Sequence, residues 1–123
     1  MSERRRPARV ERGAVTAELA LGLPLVLALT VGLVWLLAAA SAQIRVVDAA
    51  RESARSVARG DSEAEARTVG STIAPDGAEI AVVIEGGRVA VTASADVEGP
   101  GGLFDFLPGV TVTSRAVAVM EET

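Results

Sequence analysis

The sequence predicts an α+β protein: a long N-terminal transmembrane stem helix, a short second helix, and a small antiparallel three-stranded sheet packed on the stem. Three observations lead there. From Leu19 to Ala42 no charged side chain appears, and Leu, Val and Ala dominate. Beyond it, apolar residues recur at helical spacing, and Ser62 and Glu65 stand at the spacing of a capping box. After Pro75 the apolar period changes from helical to two, interrupted by Gly86-Gly87.

The first element is long enough, at about 1.5 Å per helical residue, to cross a hydrocarbon layer of about 30 Å. Arg4, Arg5, Arg6, Arg9 and Arg12 precede it and outnumber Glu3 and Glu11, whereas the chain from Arg45 onward is acidic. The positive-inside rule then puts Met1 in the cytoplasm and the C-terminal part outside. Residues 1–13 read as a basic cytoplasmic leader, 14–43 as the transmembrane helix, 44–60 as its extracytoplasmic continuation and 61–123 as a small extracytoplasmic α+β domain. Trp35 falls either at the outer interface, where amphipathic rings settle, or against lipid or another helix. A cleavable secretory peptide ending at the Ala38, Ala40, Ala42 run is a further reading, although the apolar stretch is long for one.

Composition bounds the rest. The 123 residues carry a net charge of −4, one Trp, two Phe, and no Tyr, Cys or His. Without Cys and His there are no disulfide staples, thiolate zinc sites, cysteine nucleophiles or imidazole bases. No Gly-x-Ser-x-Gly elbow or phosphate-binding loop is present, so enzymatic activity is not expected, nor is a cofactor or metal. An acidic outer segment lacking aromatic platforms argues against nucleic-acid binding.

Within the membrane run, Pro24 removes a backbone donor and predicts a helix kink, and Gly22 and Gly32 weaken the helix further. Such a kink is either incidental to a single-pass anchor or used where helices pack together. Glu18 is the puzzle, because a carboxylate entering a bilayer costs free energy, less near the interface than at the centre. The positive end of the helix dipole favours an acid there, as does any nearby cation. Were the chain cut after Gly13, the new α-amino group of Ala14 would be such a cation, four residues before Glu18. Between parallel helices of an assembly, the amine of one subunit would neutralise Glu18 of the next and fix their axial register.

Gly13 after basic residues, a carboxylate five positions later and a continuous apolar helix resemble the type IV prepilin processing sequence. More narrowly, "RGAVTAELALGLPLVL" resembles the start of TadE-family minor pilins of the tight-adherence (Flp) system, with its Gly-x-x-x-x-Glu-Phe/Leu-Ala-Leu-x-x-Pro pattern. "VDAARESARSVARGDSEAEAR" is similar to that family too. The resemblance implies a pilin-like fold and cleavage by a membrane prepilin peptidase between Gly13 and Ala14. It also implies an assembly or register role for Glu18, with other pilin-like subunits as partners. Leu19 stands where Phe commonly follows the acid and where Flp major pilins have Tyr, which argues against a major filament subunit.

Outside the membrane, Ile44, Val47, Ala50, Ala54 and Val57 predict the buried face of the continuing helix. Arg45, Asp48, Glu52, Arg55 and Arg59 fall largely on the other side, as a solvated face or a contact with neighbouring subunits. A continuous helix from Ala14 to about Arg59 would be about 69 Å long. Gly60 stops it, and "DSEAEA" begins a second helix running to about Ile73. Asp61, Glu63 and Glu65 invite a calcium-loop reading, but Ala66 and Thr72 stand where that loop needs Gly and Glu, so helix capping is preferred.

Alternation of Ile80, Val82 and Ile84, then of Val89, Val91, Ala93, Ala95 and Val97, predicts a hairpin across Gly86-Gly87. "GVTVTSRAVAVM" predicts the third strand. In the connection "EGPGGLFDFLPG", Phe104 and Phe106 read as plugs completing the core or as an apolar contact. The function expected is that of a membrane minor pilin or pseudopilin. The alternatives are an unprocessed membrane-anchored binding module and an exported domain released near Ala42.

Overall fold

The computed structural model describes residues 6–99 and 109–121. It comprises helix α1 (Arg6–Ala58), helix α2 (Glu63–Ile73) and strands β1 (Glu79–Glu85), β2 (Arg88–Val97) and β3 (Val110–Val119). The α+β class and element order match the expectation. Phe104 and Phe106 lie outside the described residues. The chain divides into two compact units, residues 1–34 and 35–123.

In the first unit α1 begins at Arg6, eight residues before the expected start. Pro7 falls in the first turn, where no intrahelical N–H is required, so it does not delay the helix. The helix runs on through Gly13 and Pro24. Leu19, Leu21, Leu23, Leu25, Leu27 and Leu29 are all exposed. A helix apolar on every side is one whose environment is itself apolar.

The second unit is built on α1 from Trp35 to Ala58. Ala42, Val46, Ala49, Ala50, Ala54, Val57 and Ala58 are buried here in one cluster with Ala66 and Ala74, and with Val89, Val91, Ala93, Ala95 and Val112 of the sheet. Ala50, Ala54 and Val57 are buried as expected, and the expected helix face is corrected at Ile44 and Val47. Ile44 is 63% exposed and Val47 only half-buried, while Val46, Ala49 and the hydroxyl residues Ser53 and Ser56 are buried. Val46 and Val47, and Ala49 and Ala50, are adjacent pairs, so period alone does not say which member of each faces inward. Close approach of a second layer favours the side with the smallest side chains.

Gly60, at φ 103°, ends α1. Its N–H donates to Val57 O at 2.9 Å and that of Asp61 to Ser56 O at 3.1 Å, the paired bonds of a Schellman motif. Helix α2 opens on the expected capping box: Glu65 N–H donates to Ser62 Oγ at 3.1 Å, and Ser62 N–H to Glu65 Oε2 at 3.2 Å. Glu65 therefore belongs to a helix cap, as expected, while Glu63 pairs with Arg67 at 3.6 Å and Asp61 accepts from Ser56 Oγ.

The sheet is antiparallel in the order β1-β2-β3. Glu85 pairs with Arg88, leaving Gly86 and Gly87 as a two-residue loop. Both have positive φ, 58° and 76°, as a type I′ turn requires. Val89, Val91, Ala93 and Ala95 alternate into the core, and Val112 joins them from β3. The outer face carries Arg88, Thr92, Thr113, Arg115 and the exposed Val83, Val117 and Val119.

Candidate functional site

The residues singled out by the sequence lie on the first unit of α1. Gly13, Ala14 and Glu18 are all exposed. Ala14 and Glu18, four residues apart in a continuous helix, share a face, with Gly13 one residue before Ala14. Glu18 makes no hydrogen bond or ion pair with any described residue. A Cβ added at Gly13, Gly22 or Gly32 meets nothing within 4 Å. None of these three glycines is required by packing within the chain. Each costs about 1 kcal/mol relative to Ala in a helix interior, which leaves their reason outside the chain's own packing.

Thr16 Oγ1 donates to Arg12 O at 2.9 Å, and Thr30 Oγ1 to Val26 O at 2.8 Å, so both hydroxyls are satisfied within the helix. Pro24 supplies no N–H to the carbonyl one turn before it. The helix from Arg9 onward is long and apolar enough to cross a membrane, and its apolar window is unburied. Leu19 to Leu37 therefore present an apolar surface on all sides, interrupted at its start by the lone carboxylate of Glu18.

The second unit holds contacts that sequence reasoning missed. Arg45, although exposed, is more than a solvated surface charge. Its guanidinium donates to Ile73 O at 3.1 Å and to Ala74 O at 3.3 Å, closing the C-terminus of α2. Ser53 Oγ donates to Ala66 O at 2.9 Å, and Ser56 Oγ to Asp61 Oδ2 at 2.7 Å. Gly70 sits against Ser53 Oγ so closely that a Cβ there overlaps it. No local pattern announces such pairings, because the partners are up to 29 residues apart. Around Glu52, Arg55 and Arg59 form the expected charged face, at 3.7 and 3.8 Å.

Two shallow concavities flank the outer sheet face. One, of about 280 Å³, is lined by Val83, Glu85, Arg88, Ala90, Arg115 and Val117. The other, of about 250 Å³, is polar and lies against Glu79, Asp96 and Thr111, whose hydroxyl donates to Asp96 Oδ1 at 2.7 Å. Among the described residues no group of three or more His, Cys, Asp or Glu is placed to hold a metal ion.

A single apolar helix leading into a small α+β unit describes a class of helix-anchored proteins, and comparison with known families narrows it. Residues 13–55 match the family model described as TadE-like protein, the family that this segment of the sequence resembles. The match begins at Gly13, takes in Ala14, Glu18 and Pro24, and runs through the apolar helix to Arg55. A protein of Mycobacterium tuberculosis (strain ATCC 25618 / H37Rv) named apoptosis inhibitor Rv3655c is 39% identical over 83 residues. Those residues are 68% of this chain and 60% of the relative, so the match spans well under the relative's full length. No solved structure matches.

Proposed function

We propose that this protein is a single-pass membrane minor pilin or pseudopilin of a tight-adherence type assembly, with a structural rather than an enzymatic role. In this reading a prepilin peptidase cuts between Gly13 and Ala14 on the cytoplasmic side. The domain after α1 lies outside the membrane, and the helix mediates contact with other pilin-like subunits. The observation that carries the reading is the coincidence at residue 13. The TadE-like match begins at the glycine after which the basic leader would be removed. Five residues on stands an exposed carboxylate with no partner among the described residues, at the head of an apolar helix.

The chemistry follows from cost. Glu18 is unfavourable at the edge of a bilayer unless a cation meets it. Removal of the leader creates an ammonium group on Ala14, one helical turn away, and the same group on a neighbouring subunit meets Glu18 at a single axial offset. In this reading Pro24, which leaves one carbonyl of the helix without its donor, and Gly22, which narrows it, serve that packing.

The test is the mass of the N-terminal peptide of the protein taken from its native membrane. An N-terminus at Ala14, lost on substitution of Gly13, is the expected result. Glu18→Ala should then insert and be cut normally but fail to assemble, and normal assembly of that variant would remove Glu18 from the argument. A chain still carrying its leader favours the second reading, an unprocessed anchored binding module. That reading draws on the outer sheet face, where Arg88 and Arg115 flank the exposed Val83 and Val117.

A further inference from the structure

The bond proposed for cleavage is not in an extended segment. It lies in the interior of α1, two turns from the start of the helix at Arg6. In that geometry the Gly13 carbonyl points along the axis and is bonded to the N–H of Ala17, so the oxygen that a catalytic group must polarise is already taken up by the helix. Hydrolysis adds one water across the Gly13–Ala14 amide and leaves a carboxylate on Gly13 and an ammonium on Ala14. None of this can proceed on the helical form.

We infer that the first turns of α1 are a metastable segment whose unwinding exposes the Gly13–Ala14 bond, and that the helix stability of residues 9–13 sets the rate of processing. The inference rests on the processing reading above. Several features make this end of α1 weak. Its first turn contains no acidic residue, and the sequence instead places Arg6 and Arg9 at the positive end of the helix dipole. Val10 and Glu11 are exposed, so no tertiary contact among described residues holds this stretch to the rest of the chain. Gly13 adds the backbone freedom of a residue without Cβ, in open space. Thr16 Oγ1 already bonds Arg12 O, so that carbonyl keeps a partner when the N–H of Thr16 turns away.

Unwinding also has a natural limit. Past Glu18 the chain is uncharged as far as Ile44 and mostly apolar, and freeing backbone groups in hydrocarbon costs several kcal/mol each. The helix therefore opens from Arg6 toward the membrane and stops near Glu18, with the bond at residue 13 in the part that opens. Cleavage removes the unstable turns and leaves a helix that starts at Ala14, with an ammonium at its end.

The test compares alanine with glycine at exposed leader positions. Full-length chains carrying Val10→Ala, Val10→Gly, Glu11→Ala or Glu11→Gly are placed in membrane vesicles containing the prepilin peptidase, and release of the leader is timed by mass spectrometry. Within each pair only the Cβ methyl differs, and the helix weights differ by about five-fold. The glycine variant should be cut about five-fold faster at both positions, with amide exchange at residues 10–14 accelerated to match. Equal rates within both pairs, or faster cutting of the alanine variants, overturn the inference while leaving processing intact. A wild-type chain left whole in the same vesicles removes the processing reading itself, and this inference with it.

Discussion

At the scale of single residues, the sharpest constraint is at Gly70, on α2 where it faces Ser53 of α1. Ser53 is fully buried and its hydroxyl is committed to Ala66 O, so it cannot move aside to admit a methyl group. Gly70→Ala should destabilise the protein by about 1–3 kcal/mol, the range for overpacking a close contact. Chemical denaturation followed by circular dichroism in detergent measures it. Gly22→Ala is the matched control: its Cβ enters open space, so folding stability should be unchanged or slightly raised. None of this is legible in the sequence. A serine in a helix and a glycine 17 positions later share no motif, and only the fold brings them together. Gly13 and Glu18 are the opposite case. Their spacing is visible in the chain, but what each faces lies outside it.

At the scale of elements, α2 is held by two different mechanisms. Its N-terminus is closed by its own neighbours, Ser62 and Glu65, and that was legible because the capping box is a rule of three residues' separation. Its C-terminus is closed by Arg45 from α1, through the carbonyls of Ile73 and Ala74. Arg45→Ala should leave those carbonyls to solvent and cost about 1 kcal/mol, given the partial exposure of the bonds. Hydrogen exchange should show the loss as faster exchange at the last turn of α2, including the N–H of Ala74 that donates to Gly70 O, with little change in the β-hairpin. The hairpin too was readable, since a Gly-Gly loop and strict alternation specify it locally. The inner face of α1 was readable only in part. Ala50, Ala54 and Val57 were readable from their spacing, but Ile44 and Val47 were not separable by period from Val46 and Ala49, which the core takes instead.

At the scale of the whole molecule, the apolar helix and the second unit carry different information. The first is almost fully legible, since length and absence of charge define it. The strand pairing of the second follows from the alternation, while the helix face beneath it does not. The division at residue 35 leads to an experiment. A fragment beginning at Trp35 keeps every residue of the buried cluster from Ala42 to Val112 and should unfold cooperatively as a water-soluble domain, given detergent-free refolding and a tryptophan or circular dichroism probe. A fragment beginning at Arg59 loses Val46, Ala49, Ala50, Ala54 and Val57, and its three strands should fail to hold a sheet.

The buried cluster is made largely of alanine and valine. Alanine has no rotamers to freeze and valine few, so folding this layer surrenders little side-chain entropy. It also hides little hydrocarbon per residue, and the rise in heat capacity on unfolding should be correspondingly small. Stability of this domain is then won by the cheapness of its order more than by the size of its core, and it should vary gently with temperature where a Leu- and Phe-rich domain of equal length would curve steeply.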